Sequence, residues 1–110
     1  MLELQCELDE FIVKLKNTGV YRDYEEQKKR INEQPELKVR VDDYRRRNYE
    51  IQTRSYPENI YDEMERFQRE SEHLRDNPIV HDFLAAELAL CRMIQKVTST
   101  IVEAVSEDFE

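Results

Sequence analysis

Four sets of side chains in this sequence carry enough chemistry to build a site. Cys6 and Cys91 are thiols, and His73 and His81 flank an Asn77-Pro78 pair with Glu72 and Asp82 close by. Glu87 interrupts a run of apolar positions, and Arg45, Arg46 and Arg47 follow one another between Tyr44 and Tyr49. Thiolates and imidazoles are the ligands of zinc and iron–sulfur sites, so Cys6 or Cys91 with His73 or His81 is one reading. Against it, the cysteines lie far apart and the histidines lack the i, i+4 spacing that puts two ligands on one helix face. Buried or half-buried free thiols and solvated imidazoles at helix ends are the plain alternative, and no metal or cofactor is expected.

Catalysis needs a nucleophile or an acid–base pair held in a cleft, or a metal with converging ligands. A single Gly precludes a glycine-rich phosphate loop, and there is neither an HExxH pair nor a nucleophile elbow. Enzymatic activity is therefore not expected. Glu87 admits two readings, because a carboxylate among apolar neighbours is costly to bury unless paired. It either bonds an Arg or Tyr of a neighbouring helix and fixes register, or serves as a ligand or acid. The arginine triplet with its tyrosines resembles a patch that holds RNA phosphates and stacks bases. Three consecutive residues, however, fan across about 200° of a helix. They also suit a solvated face, or one that docks the acidic Glu103, Glu107, Asp108 and Glu110 of another subunit.

The elements that must position these residues are helices. Charged residues make up 38% of the 110-residue chain and hydrophobic residues 39%, with three Pro and no Trp, which calls for helices with one apolar stripe each and a wide solvated face. Disorder is the competing reading for so polar a chain, but the apolar residues recur at helical spacing. Leu4, Leu8, Phe11, Ile12 and Leu15 share one helical face, and Asn17-Thr18-Gly19 interrupts it. Thr18 caps a second helix that carries Val20, Tyr21, Tyr24 and Ile31. Pro35 opens a third with Leu37, Val41, Tyr44 and Ile51, and Ser55-Tyr56-Pro57-Glu58 has capping-box spacing before a fourth with Ile60, Met64, Phe67 and Leu74.

Asn77 and Pro78 start the last helix, which nothing interrupts before about Asp108. Two apolar stripes run along it. One is Val80, Phe83, Glu87, Leu90, Ile94, Val97, Ile101 and Ala104; the other is Leu84, Leu88, Cys91, Thr98, Val102 and Val105. Together they are wider than one helical neighbour covers. The spacing thus predicts an all-α, oligomeric bundle of four to five helices in one domain over residues 1–110. Phe83, Glu87, Leu90, Ile94, Val97 and Ile101 are the candidate interface between subunits.

The net charge of −8 disfavours a general nucleic-acid binder, but it is unevenly spread. Residues 28–54 hold nine basic and five acidic residues, net +4, leaving eight basic against twenty acidic elsewhere, a balance of −12. No run approaches the ~18 apolar residues of a membrane span, and the first ten residues lack the pattern of a signal peptide, so a cytoplasmic protein is expected.

Tyr21-Arg22-Asp23-Tyr24, then Pro35-Glu36-Leu37 before a charged helix, then Asn77-Pro78-Ile79-Val80 with Phe83-Leu84-Ala85-Ala86-Glu87, resemble the YlbF/YmcA family of small bacterial helical proteins over nearly the whole chain. The resemblance implies an all-α fold with a long last helix and a tendency to oligomerise. It also implies a regulatory part in the cytoplasm, since some members join a complex that affects competence, sporulation, biofilm formation and mRNA processing by RNase Y. Certain members hold iron–sulfur clusters with cysteines that include some near the C-terminus. This chain ends in Ser106-Glu107-Asp108-Phe109-Glu110, which makes it more similar to the YheA-like members. The expected function is that of a non-enzymatic interaction protein, self-associating through its last helix and working with protein partners. An RNA-associated adaptor using Arg45, Arg46 and Arg47, and a metal or iron–sulfur protein, stay open as alternatives.

Overall fold

The computed structural model describes residues 3–54 and 57–109. Among them are six α-helices: α1 (Gln5–Lys16), α2 (Gly19–Asn32), α3 (Pro35–Arg54), α4 (Pro57–Glu70), α5 (Glu72–Asp76) and α6 (Pro78–Ser106), followed by a 3-10 turn at Glu107–Phe109. The all-α expectation holds. Ser55 of the expected capping box lies outside the described residues, as does Glu110.

Each break has a local cause. At the α1–α2 joint the Thr18 hydroxyl donates to the Leu15 carbonyl at 2.7 Å and accepts the Tyr21 N–H at 3.2 Å, so one side chain closes one helix and caps the next. Pro35, Pro57 and Pro78 each occupy the first helical position, where a missing N–H costs nothing. Asn77 precedes Pro78 and takes the extended conformation that the proline ring imposes, with φ −63° and ψ 125°. Its Oδ1 accepts the N–H groups of Ile79 at 2.9 Å and Val80 at 3.4 Å.

The sequence periodicity treats Ile60 to Leu74 as one helix, and here the structure differs. Ser71 is buried; its N–H keeps the regular ladder bond to the Phe67 carbonyl at 3.0 Å, and its hydroxyl also donates to that carbonyl at 2.6 Å. A serine hydroxyl bonded back to the i−4 carbonyl in this way bends a helix. The helix is interrupted at Ser71, which separates α4 from α5 and raises the number of helices above the expected four to five.

The chain divides into two compact units, Lys28–Phe83 and the pair of segments Met1–Gln27 with Leu84–Glu110. In the first, Ile31, Leu37, Val41, Phe67, Leu74, Val80 and Phe83 form the buried core. Phe67 stacks on Tyr44 with ring centroids 5.0 Å apart and planes at 21°, and the Arg47 guanidinium lies 5.1 Å from the Phe67 ring. These contacts join α4 to α3. In the second unit the only buried apolar side chain among the described residues is Ala86, and α1 has none.

Replacing Phe67 with Ala is expected to lower stability by about 3–5 kcal/mol, and Asn77→Ala by about 1 kcal/mol. Urea unfolding followed by circular dichroism measures both. Equal losses for the two variants would show that the core is not centred on Phe67.

Candidate functional site

The candidate interface residues of α6 divide between two environments. Phe83 is 2% exposed, packed in the core of Lys28–Phe83 with the Arg45 guanidinium 5.8 Å from its ring. It is consumed within the chain. Glu87, Leu90 and Val97 are half-buried, and Glu87 is engaged by a neighbouring group. Ile94 and Ile101 are 47% and 60% exposed, and Leu88, Val102 and Val105 are exposed with them. Ala86 is buried and Met93 half-buried on the same helix. Sequence patterning passed over both, although they fall at helical spacing with Phe83, Leu90 and Val97.

α1 adds to this surface. Leu4, Leu8, Phe11, Ile12 and Val13 are all exposed. Leu8 and Phe11 line an open, almost wholly apolar cavity of about 420 Å³ together with Lys96, Val97, Thr100 and Ile101. Exposed aliphatic and aromatic side chains of α1 and of the later half of α6 thus come together at this cavity. The only charge in the cavity lining is the Lys96 ammonium, whose methylene stem lies along it.

The arginines do not form one surface. Arg45 faces Phe83, Arg47 lies over Phe67 and bonds Glu70 at 2.8 Å, and Arg46 points outward between Asp43 (2.6 Å) and Glu50 (2.9 Å). Arg45 also lies 3.7 Å from Asp42, which Lys38 contacts at 2.8 Å. Hydrogen bonds to Asp43 and then Glu50 raise the Arg46 pKa above its already high ordinary value, so it stays charged. Asp42, Asp43 and Glu50 are already counted within residues 28–54, so the exposed pairs that offset the surplus positive charge of that segment are Arg47–Glu70 and Arg30–Asp82, each with modest strength.

Cys6 and Cys91 are free and exposed. This corrects the expectation of buried or half-buried thiols, and follows from their position on helices with few neighbours. His81 approaches Asp82 at 3.4 Å. Among the described residues no group of three or more His, Cys, Asp or Glu side chains is placed to hold a metal ion, and no helix is long and apolar enough to cross a membrane. Asp82 accepts a hydrogen bond from Arg30 at 3.0 Å, which is the main reason its carboxyl lies below the ordinary carboxylate range, with His81 adding to the effect.

The described residues thus form an all-helical scaffold with one small core, arginines paired within the chain and exposed apolar side chains on α1 and α6. Residues 6–106 match the family model described as "Control of competence regulator ComK, YlbF/YmcA". The chain belongs to the YlbF/YmcA family. No curated protein and no solved structure matches it significantly.

Asp82 is expected to titrate below ordinary aspartates in a carbon-13 NMR titration, and Arg30→Ala to bring it back towards the ordinary aspartate range. Because its folded pKa is depressed, its contribution to stability is present above the unfolded pKa and is lost as pH falls through the folded value. An unchanged Asp82 titration in Arg30→Ala would show that the ion pair is not formed in solution.

Proposed function

We propose that this protein is a non-enzymatic regulatory adaptor of the bacterial cytoplasm that self-associates through α6 and acts by binding other proteins. The observation that carries this reading is the exposed apolar strip of α6 and α1, where Ile94, Ile101, Leu8 and Phe11 meet water. Contiguous apolar surface of this kind marks an interaction site on soluble proteins. A family named for control of a competence regulator fits a protein whose work is contact. The protein partners of such control would compete for, or add to, the same strip.

The second reading, an RNA adaptor, draws on Arg45, Arg46 and Arg47. It is the weaker one, since a phosphate would have to displace Asp43 and Glu50 from Arg46 and Glu70 from Arg47. Titration with single-stranded RNA at two salt concentrations separates the readings, because phosphate contacts give a steep salt dependence. No binding at ~50 mM salt is expected.

Size-exclusion chromatography with light scattering should report a dimer or larger species at micromolar concentration. Ile94→Asp and Ile101→Asp each place a carboxylate on the strip and should shift the protein to monomer while leaving its helical circular dichroism in place. A monomeric wild-type protein would refute self-association. Undisturbed assembly in both variants would place the interface elsewhere.

A further inference from the structure

The cavity between α1 and α6 differs from the other exposed apolar surface of these helices in being concave and in carrying one charge. Leu8, Phe11, Val97 and Ile101 supply its apolar lining, Lys96 and Thr100 complete it, and all belong to one compact unit. The space is left open because α1 buries none of its side chains and because Val97 and Thr100, on the α6 side, are short. Its volume of about 420 Å³ falls in the range of small-molecule sites. Along α6 the lining runs only from Lys96 to Ile101, about 7.5 Å of helix. A partner helix, about 10 Å across, would lie over so short a recess and not in it. A single flexible chain enters it.

The polar groups of the lining decide what else that chain must carry. The Thr100 hydroxyl donates to the Lys96 carbonyl at 2.7 Å, so its proton is committed to the helix. Lys96 is exposed, and the residues three and four positions either side of it are Arg92, Met93, Ser99 and Thr100, none of them acidic. Among the described residues no carboxylate pairs with it. Arg92, one turn before Lys96, adds a second positive charge to that end. An unanswered ammonium whose stem lies along apolar side chains favours an anionic head group on an aliphatic body. At ~30 Å³ for a water-sized group, which a methylene approximates, the cavity holds at most about fourteen such groups, and its open side removes a few. We propose that it binds a free, unbranched fatty carboxylate of about ten to twelve carbons, with the chain against Leu8, Phe11, Val97 and Ile101 and the head group on the Lys96 ammonium. This goes beyond self-association and applies to a monomer or a dimer, since Leu88, Ile94, Val102 and Val105 take no part in the lining.

Isothermal titration calorimetry of the full-length protein with octanoate, decanoate and dodecanoate, each kept below its micelle concentration, tests the site. Saturable binding of one molecule per chain is expected, tightening about three- to fourfold per added carbon. Lys96→Glu should weaken dodecanoate binding about two- to tenfold and make dodecylammonium the tighter ligand, while dodecanol binding stays within about twofold. Thr100→Trp, at an exposed position, fills the cavity and should remove measurable binding with the helical circular dichroism in place. No saturable binding of dodecanoate to the wild-type protein, affinity independent of chain length, or an unchanged head-group preference in Lys96→Glu would each overturn the proposal. Binding to phosphatidylglycerol vesicles without binding of free dodecanoate would overturn it in favour of a bilayer. A change of assembly in Thr100→Trp with no dodecanoate binding to either protein would overturn it in favour of a second copy covering the cavity. Light scattering on the same samples reports self-association separately: a monomer that binds dodecanoate would refute the earlier reading and leave this one intact.

Discussion

Apolar side chains are scarce in this protein, and where they are spent governs everything else. Among the described residues, seven of the eight buried apolar side chains belong to Lys28–Phe83. α6 contributes Val80 and Phe83 to that core, then continues to Ser106 with Leu88, Ile94, Ile101, Val102 and Val105 exposed. An isolated helix draws little stability from propensity alone, and most of what holds it comes from packing an amphipathic face. A 29-residue helix bearing Ile94, Ile101, Val102 and Val105 on its surface is therefore one that gains order and loses exposed area when another helix lies against it.

The electrostatics follow a similar division. Within Lys28–Phe83 the charges are largely settled by neighbours: Arg46 between Asp43 and Glu50, Arg47 with Glu70, Arg30 with Asp82. None of these exposed pairs contributes much to stability, but each lowers the attraction that the region offers to an outside anion. The charges after Leu90 fall in blocks, Arg92 and Lys96 and then Glu103 on α6, with Glu107 and Asp108 in the 3-10 turn that follows. Charge arranged in blocks does little for the helix that carries it, and across an interface it acts on partner choice and orientation.

Much of the fold was legible because its boundaries rest on single residues with local effects. Thr18, Pro35, Asn77 and Pro78 act within one turn, and the structure places each where local rules put it. Ser71 was illegible for the opposite reason: serine is common within helices, and only burial beside the Phe67 carbonyl turns it into a break. The arginine triplet reads as one patch in sequence, but helical geometry and the placement of Phe67 and Phe83 send its members in different directions. The stripes of α6 were legible as apolar but not as covered or bare. Periodicity shows that Phe83 and Ile94 share a face, while the presence of α3 beside one and of solvent beside the other is a matter of tertiary placement.

That last distinction bears on how a regulatory protein of this size works. A strip buried completely by the chain's own helices would stabilise the fold and leave nothing to recognise. A bare strip as wide as the one on α1 and α6 imposes aggregation risk unless its occupant is specified. Specification here cannot come from shape alone, because an array of aliphatic side chains at three- and four-residue spacing accepts many helices. It falls to the features that are not repeated: the half-buried carboxylate of Glu87, the exposed thiol of Cys91, and the change of charge between Lys96 and Glu103. Under the self-association proposed above, apolar area would supply affinity for helices in general, and these few polar positions would decide which helix is accepted.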